Sequence, residues 1–134
     1  MSKLSGLRAG LAGQLDNITG LRVLTYIPDQ VNPPMAVVLP RRVDFDSTFA
    51  RACDEYTFDV QVIVHRPSER SGQTQLDDYC DAAGTVSVKT AIEADPTLGG
   101  SAQTCRVTEV SSINAVDIGE VTYLQATFTV SILA

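Results

Sequence analysis

His65 is the single histidine of the chain, so acid–base chemistry near neutral pH would have to be centred on it. A dyad with Cys53 or Cys80 would supply a nucleophile, but no recognised nucleophile motif surrounds Cys53. Cys80 falls on the apolar face of a predicted helix, where a reactive thiolate is disfavoured. Because His65 ends a predicted strand on its polar face, we interpret it as an ordinary surface histidine.

Three aspartates lie close together in the sequence, Asp77, Asp78 and Asp81, without a histidine or a calcium-loop pattern beside them. They are typical of the solvated face of a helix. The chain also lacks the motifs G-x-x-x-x-G-K-[ST], G-x-G-x-x-G and G-x-S-x-G, which mark common nucleotide-binding and hydrolase sites. We therefore expect no catalytic centre, no metal site and no cofactor.

The three cysteines are odd in number and contain no C-x-x-C pair, so they indicate neither a disulfide framework nor a zinc site. Buried free thiols are the expectation. Five arginines form the visible basic group and alternate with acidic residues: Arg41, Arg42, Arg51, Arg66 and Arg70 with Asp44, Asp46, Asp54 and Glu69. This alternation predicts a salt-bridged surface rather than a phosphate-binding track.

Composition places the chain among soluble proteins of one domain. Its 134 residues are 44% hydrophobic and 19% charged, and no apolar run is long enough to span a membrane. The N-terminal segment lacks the apolar core and cleavage site of a signal peptide, so we expect assembly in the cytoplasm. A net charge of −6 opposes nucleic-acid binding but suits a surface that DNA passes without adhering.

Leucines at three- and four-residue steps predict an amphipathic helix over residues 3–15. Gly6, Gly10 and Gly13 weaken its intrinsic stability, so the helix should depend on docking. Its own sheet and a neighbouring subunit are both candidate surfaces for that docking.

Branched residues predict strands over 21–27 and from 35 to Pro40, which pair around a proline-containing loop. Residues 41–54 lack helical or strand periodicity, so we predict a long protruding loop there. The candidate subunit or partner interface consists of Arg41, Arg42, Phe45, Phe49 and Arg51. The loop's aromatic residues favour docking on a partner, whereas an arm folded back on its own domain is the alternative.

Two later segments alternate strictly, at residues 55–65 and 121–133. Their inward residues are Tyr56, Phe58, Val60, Val62 and Val64 in the first, and Leu124, Ala126, Phe128, Val130 and Ile132 in the second. Helices over 68–83 and 87–94 and a strand over 103–112 complete the pattern. The order predicts an α+β fold, a mostly antiparallel sheet of about five strands with two or three helices on one face.

The chain resembles the tail terminators of actinobacterial long-tailed, non-contractile bacteriophages. The resemblance lies in the order of the N-terminal helix, GLRV (20–23), YIPDQVNPP (26–34), DEYTFDVQVIV (54–64), SVKTAIEADPTLGG (87–100) and the closing VTYLQATFTV (121–130). It implies a virion protein at the head–tail junction that forms a six-fold ring, caps the tail tube, stops its polymerisation and meets the head-completion protein. DNA would pass through its lumen.

Two other interpretations stay open at this stage. A stopper or other head–tail connector component would share the chain's size and acidity and differ mainly in its neighbours. A small enzyme with an unrecognised site is the third, and the single histidine and the missing motifs count against it.

Overall fold

The computed structural model describes residues 3–18, 21–25, 34–45, 54–64, 70–81, 83–84, 86–100, 102–118 and 121–134. In these residues the chain forms helix α1 (Lys3–Leu15), strands β1 (Arg22–Leu24), β2 (Met35–Asp44) and β3 (Glu55–Val64), helices α2 (Arg70–Cys80) and α3 (Val88–Glu93), a 3₁₀ turn (Leu98–Gly100), and strands β4 (Thr104–Ile118) and β5 (Val121–Leu133). The strands lie in one sheet in the order β1-β2-β3-β5-β4. The predicted α+β class is confirmed.

All pairings among the four long strands are antiparallel, whereas β1 pairs with β2 in parallel through only three residues, Met35–Val37. The alternation of β3 and β5 predicted the buried face correctly. Phe58, Val60 and Val130 are fully buried there, together with leucines of α1 and the apolar residues of α2 and α3. The helices therefore cover one face of the sheet, and the other face is mostly polar.

Ile63 departs from the prediction, because the alternation assigns it to the polar face and it is nevertheless buried. It lies opposite Met35 in the β2–β3 register and forms a second apolar cluster with Met35 and Val37, supported by Leu24 and Tyr123. The polar face thus has an apolar end.

The predicted end of the second strand at Pro40, and with it the start of the predicted loop at residue 41, is wrong. Strand β2 continues to Asp44, with a bulge between Pro40 and Arg42. Proline is compatible with this position because, among the described residues, no strand pairs with the outer side of β2 beyond residue 37, so no ladder donor is needed there. Residues 46–53 of the predicted loop lie outside the described residues.

Strand β4 is also longer than predicted, because it ends at Ile118 and not near residue 112. Two bulges, between Val107 and Glu109 and between Ser111 and Asn114, break the two-residue alternation that marks a strand in the sequence. Among the described residues, 121–123 of β5 pair with β4 alone, so the end of β4 and the start of β5 continue as a hairpin past the C-terminal end of β3.

Helix α1 docks on its own chain. A Cβ added at Gly10 would lie 2.9 Å from Leu98 Cβ and 3.0 Å from the Leu98 carbonyl oxygen, whereas one added at Gly13 would meet nothing within 4 Å. Gly10 therefore permits the close approach of α1 to the 3₁₀ turn, and Gly13 has no packing role.

Ser87 joins the end of α2 to the start of α3. Its hydroxyl accepts a hydrogen bond from the Thr90 amide (3.2 Å) and donates one to the Asp81 carbonyl (2.6 Å), and the residue is buried. This is an N-cap that also satisfies a carbonyl beyond the C-terminus of the preceding helix. Helix α2 accordingly ends at Cys80, three residues earlier than predicted.

Replacing Ser87 with alanine removes both bonds and leaves the buried N-terminus of α3 without its cap. We expect the free energy of unfolding to fall by about 1–2 kcal/mol. Urea denaturation of the variant beside the wild type measures this. A midpoint indistinguishable from wild type would show that neither bond contributes to stability.

Candidate functional site

Three of the five predicted interface residues lie at one edge of the sheet. The side chains of Arg41 and Arg42 are 57% and 67% exposed on β2, and Phe45, immediately after the strand, is 72% exposed. The structure thus brings these three together. Phe49 and Arg51 lie outside the described residues.

The arginines make ion pairs along this edge. Arg41 Nη1 lies 3.7 Å from Asp59 Oδ1, and Arg42 Nη2 donates to Asp44 Oδ2 at 3.4 Å. The predicted salt-bridged surface is confirmed for this pair of arginines. Exposed ion pairs of this length contribute little to stability, so both guanidinium groups can change partners at low energetic cost.

The opposite edge of the sheet is strand β4, whose first part contacts side chains of helix α3. Near the start of β4, Glu93 of α3 accepts a hydrogen bond from the Val107 amide (3.0 Å), and Lys89 Nζ lies 2.6 Å from the same carboxylate and 3.4 Å from the Val107 carbonyl. These two side chains satisfy the backbone that the β4 bulge exposes. The four-residue spacing of Lys89 and Glu93 on one helix is the sequence signal for this pair.

Partial burial opposes ionisation of Glu93, but hydrogen bonds from Lys89 and the Val107 amide, with the charges of Lys89 and Arg106, outweigh it and lower the pKa of this carboxyl. The carboxylate is therefore charged at neutral pH. It lies beside a cleft of about 270 Å³ whose lining includes Cys80, Lys89 and Glu109. The cleft is smaller than the usual ligand pocket.

The far half of β4 is the second feature that sequence reasoning missed. Ile113 is 56% exposed in the bulge between Ser111 and Asn114, and with Phe45 it is one of the two large hydrophobic residues exposed in the described part of the chain. On the polar face of the sheet, side-chain amides of three neighbouring strands form a row of hydrogen bonds. Gln61 donates to Gln125, and Gln125 donates to Asn114 at 3.0 Å.

The residues that could do chemistry do not assemble into a site within the described ranges. Asp77, Asp78 and Asp81 are exposed, as predicted, and the described residues contain no group of three histidine, cysteine or acidic side chains suited to a metal ion. His65 and Cys53 lie outside these ranges. In the same ranges, no helix combines the length and the hydropathy needed to cross a membrane.

The two described cysteines are free thiols, as predicted, and their surroundings disfavour the thiolate. Burial, and to a smaller degree the charge of Asp77, raises the pKa of the half-buried Cys80. Burial, with the charge of Glu93, raises the pKa of Cys105 to about 12. A nucleophilic role at neutral pH is therefore unsuited to either thiol.

The raised pKa of Cys105 predicts a specific loss of stability in alkali. The folded protein keeps this proton up to a pH of about 12, while the unfolded chain releases it near the ordinary value of 9.0. Since the unfolded state then binds fewer protons, the free energy of unfolding should fall as the pH rises from 9.0 towards 12.

The measurement for this alkaline loss is urea denaturation at several alkaline pH values. In the variant Cys105→Ala the free energy of unfolding should fall less steeply with pH than in the wild type. Tyrosines and lysines contribute equally to both proteins, so the difference reports Cys105. Equal slopes would show that Cys105 does not contribute to the alkaline loss.

A comparison of the chain with protein-family models finds no match, and a comparison with curated protein sequences finds no significant similarity. The two edges of the sheet and the sequence pattern are therefore the features that bear on function.

Proposed function

We propose that this chain is a tail terminator, a structural virion protein that forms a ring on the tail tube of a long-tailed, non-contractile bacteriophage. The observation that carries the proposal is the pair of open edges on one sheet. Each edge ends a continuous sheet, and each bears one of the two large hydrophobic residues, Phe45 and Ile113, that are exposed within the described ranges. A ring needs two different, complementary surfaces on every subunit, and this arrangement provides them.

The sequence pattern that resembles tail terminators supports the same function. Of the segments that carry the resemblance, the N-terminal one forms a helix and residues 55–64 and 121–133 form strands, in a mostly antiparallel sheet covered by helices on one face. The ring would be a homohexamer at the neck of the virion, between the tail tube protein and the head-completion or stopper protein.

The acidic balance of the chain suits this position. A net charge of −6 lets DNA pass through the lumen without the phosphate neutralisation that would hold it. No catalytic step, cofactor or metal is part of the proposed role.

Polymerisation of purified tail tube protein in the presence and absence of this chain tests the proposal. A terminator should bind the growing end and shorten the tubes seen by negative-stain electron microscopy, with the chain found at tube ends. His65→Ala and Cys53→Ala should act as the wild type does, since neither residue has a role in capping.

Three results would contradict the proposal in different ways. Tubes of unchanged length with no bound chain would exclude termination. Binding to the head-completion protein but not to tubes would favour a stopper. Loss of capping in the His65 or Cys53 variant, with the fold intact, would reopen the enzyme interpretation.

A further inference from the structure

We infer that neighbouring copies of this chain join edge to edge, with residues 38–44 of β2 pairing antiparallel with residues 111–118 of β4 in a second copy. We call these segments the open β2 edge and the open β4 edge. The inference deepens the proposed function and rests on it, because it names the surfaces through which the ring would close.

The open β2 edge follows from the short length of β1. Strand β1 pairs only with Met35–Val37, while β2 continues for seven more residues along β3. On the outer side of those seven residues the described structure places no strand. Unpaired backbone groups of this kind are a template for another strand.

The open β4 edge begins where the cover from α3 ends. Glu93 and Lys89 bind the backbone at Val107, so this part of β4 is closed to a partner strand. From residue 111 to Ile118, β4 pairs with β5 on one side only, and among the described residues nothing pairs with its other side. The two open edges are seven and eight residues long, so each can cover the other.

Strand direction makes the pairing antiparallel. Strands β3 and β5 separate β2 from β4, and each neighbouring pair among these four is antiparallel, so β2 and β4 run in opposite directions. A second copy that continues the sheet in the same orientation therefore presents β4 antiparallel to β2. The common antiparallel pattern then continues across the boundary between copies.

The position of β1 selects the register. Across the sheet, Ser111 and Asn114 of β4 lie level with Val37 and Met35, the segment that β1 already occupies. If a second copy continued the sheet at the same level, residues 111–114 of its β4 would occupy the position of β1 in the first copy. The register that avoids this collision and keeps each face of the sheet continuous sets residue 118 beside Leu39 and Ala115 beside Val43.

This register also matches the side chains. Ile113, in the β4 bulge, falls beside Phe45, so one contact would bury both exposed hydrophobic side chains. Asp117, the one charged residue of the open β4 edge, shares a face with Thr122, whereas Arg41 pairs with Asp59 on the polar face. The contact would therefore depend on apolar side chains and backbone pairing, with no ion pair between Asp117 and Arg41.

Pro40, the β2 bulge and the two arginines are also features by which proteins prevent strand edges from pairing. Protection alone does not account for a phenylalanine that is 72% exposed at the end of that edge. The bulge and Pro40 would instead limit pairing to a partner of the correct length and register. A wild-type chain that stays monomeric would favour protection over pairing.

Complementary variants test the inference. The first, Phe45→Asp, alters the open β2 edge, and the second, Ile113→Asp, alters the open β4 edge. Both side chains are exposed, and circular dichroism checks that each variant is folded. Asp77→Lys, on the exposed face of α2, is the matched control and should assemble as the wild type does.

Light scattering coupled to size-exclusion chromatography should show an assembled wild type. Each variant alone should self-associate at least about tenfold more weakly, because every contact then includes an altered edge. An equimolar mixture should form a dimer of twice the 14.4 kDa monomer mass and stop there, since one intact edge from each variant remains.

Three outcomes would overturn the inference: a monomeric wild type, variants that assemble normally, or a mixture that stays monomeric although each variant is folded. This measurement of self-association does not depend on whether the chain caps tail tubes. Assembly through these edges into open filaments with no effect on tail tubes would contradict the proposed function and leave the inference standing. Capping of tail tubes by a ring that still forms with both variants would support the proposed function and contradict the inference.

Discussion

Replacing Phe58 with alanine is expected to lower the free energy of unfolding by about 3–5 kcal/mol. Phe58 is 0% exposed at the centre of β3, where both β2 and β5 pair with its strand. The cavity left by the missing ring cannot be filled by solvent or by movement of an edge strand. Phe128→Ala should fall at the lower end of this range, because Phe128 also lines the cleft beside β4, which leaves room for relaxation.

Equilibrium urea denaturation followed by circular dichroism measures both losses. Thr57→Ala and Thr129→Ala are matched controls, because these residues lie on the same strands but on the polar face, and each should change stability by less than about 0.5 kcal/mol. Small losses at the phenylalanines with large losses at the threonines would mean that the two faces of the sheet are reversed.

The second large effect is expected at Gly10 of helix α1. Alanine there would place a Cβ 2.9 Å from Leu98 Cβ and 3.0 Å from the Leu98 carbonyl oxygen, so α1 or the 3₁₀ turn must move. Leu98 has a φ of 50°, which leaves its backbone little freedom to adjust. We expect Gly10→Ala to cost about 1–3 kcal/mol.

Gly13→Ala is the control on the same helix. Its Cβ would meet nothing within 4 Å, so the change should stabilise the protein by up to about 1 kcal/mol through helix propensity. Thermal unfolding of the two variants should therefore shift in opposite directions. Equal stabilisation by both would show that the contact between α1 and the 3₁₀ turn is looser than the structure indicates.

The parts of the fold that the sequence predicted are those with local, unbroken periodicity. Helix α1 follows from leucines at three- and four-residue steps, and the buried faces of β3 and β5 follow from two-residue alternation. Helix α3 agrees because Ser87 supplies a recognisable cap. In these segments local preference and tertiary packing favour the same structure.

The errors lie at bulges and at an edge. Pro40 is typical of the end of a strand, and it is tolerated inside β2 because β1 ends its pairing at Val37 and no other described strand lies beside Pro40. The bulges in β4 hide its second half in the same way, because an inserted residue reverses the faces of all that follow. Both errors conceal the segments that form the open edges.

The candidate site was accordingly predicted in part. The basic and aromatic composition of residues 41–45 indicated an interface, and the structure places Arg41, Arg42 and Phe45 together and exposed. The matching surface around Ile113 was not predicted, since its exposure depends on the bulge in β4 and on the position of β4 at the edge of the sheet. Long-range pairing of this kind is not encoded in any one segment.

The central claim is that this chain forms a ring at the junction of tail tube and head connector, and its position in virions tests that claim most directly. The measurement is electron microscopy of particles in which the chain carries a bound antibody fragment. The account predicts label in a single ring at the head-proximal end of every tail. Label distributed along the tube, or particles that contain none of the chain, would contradict it.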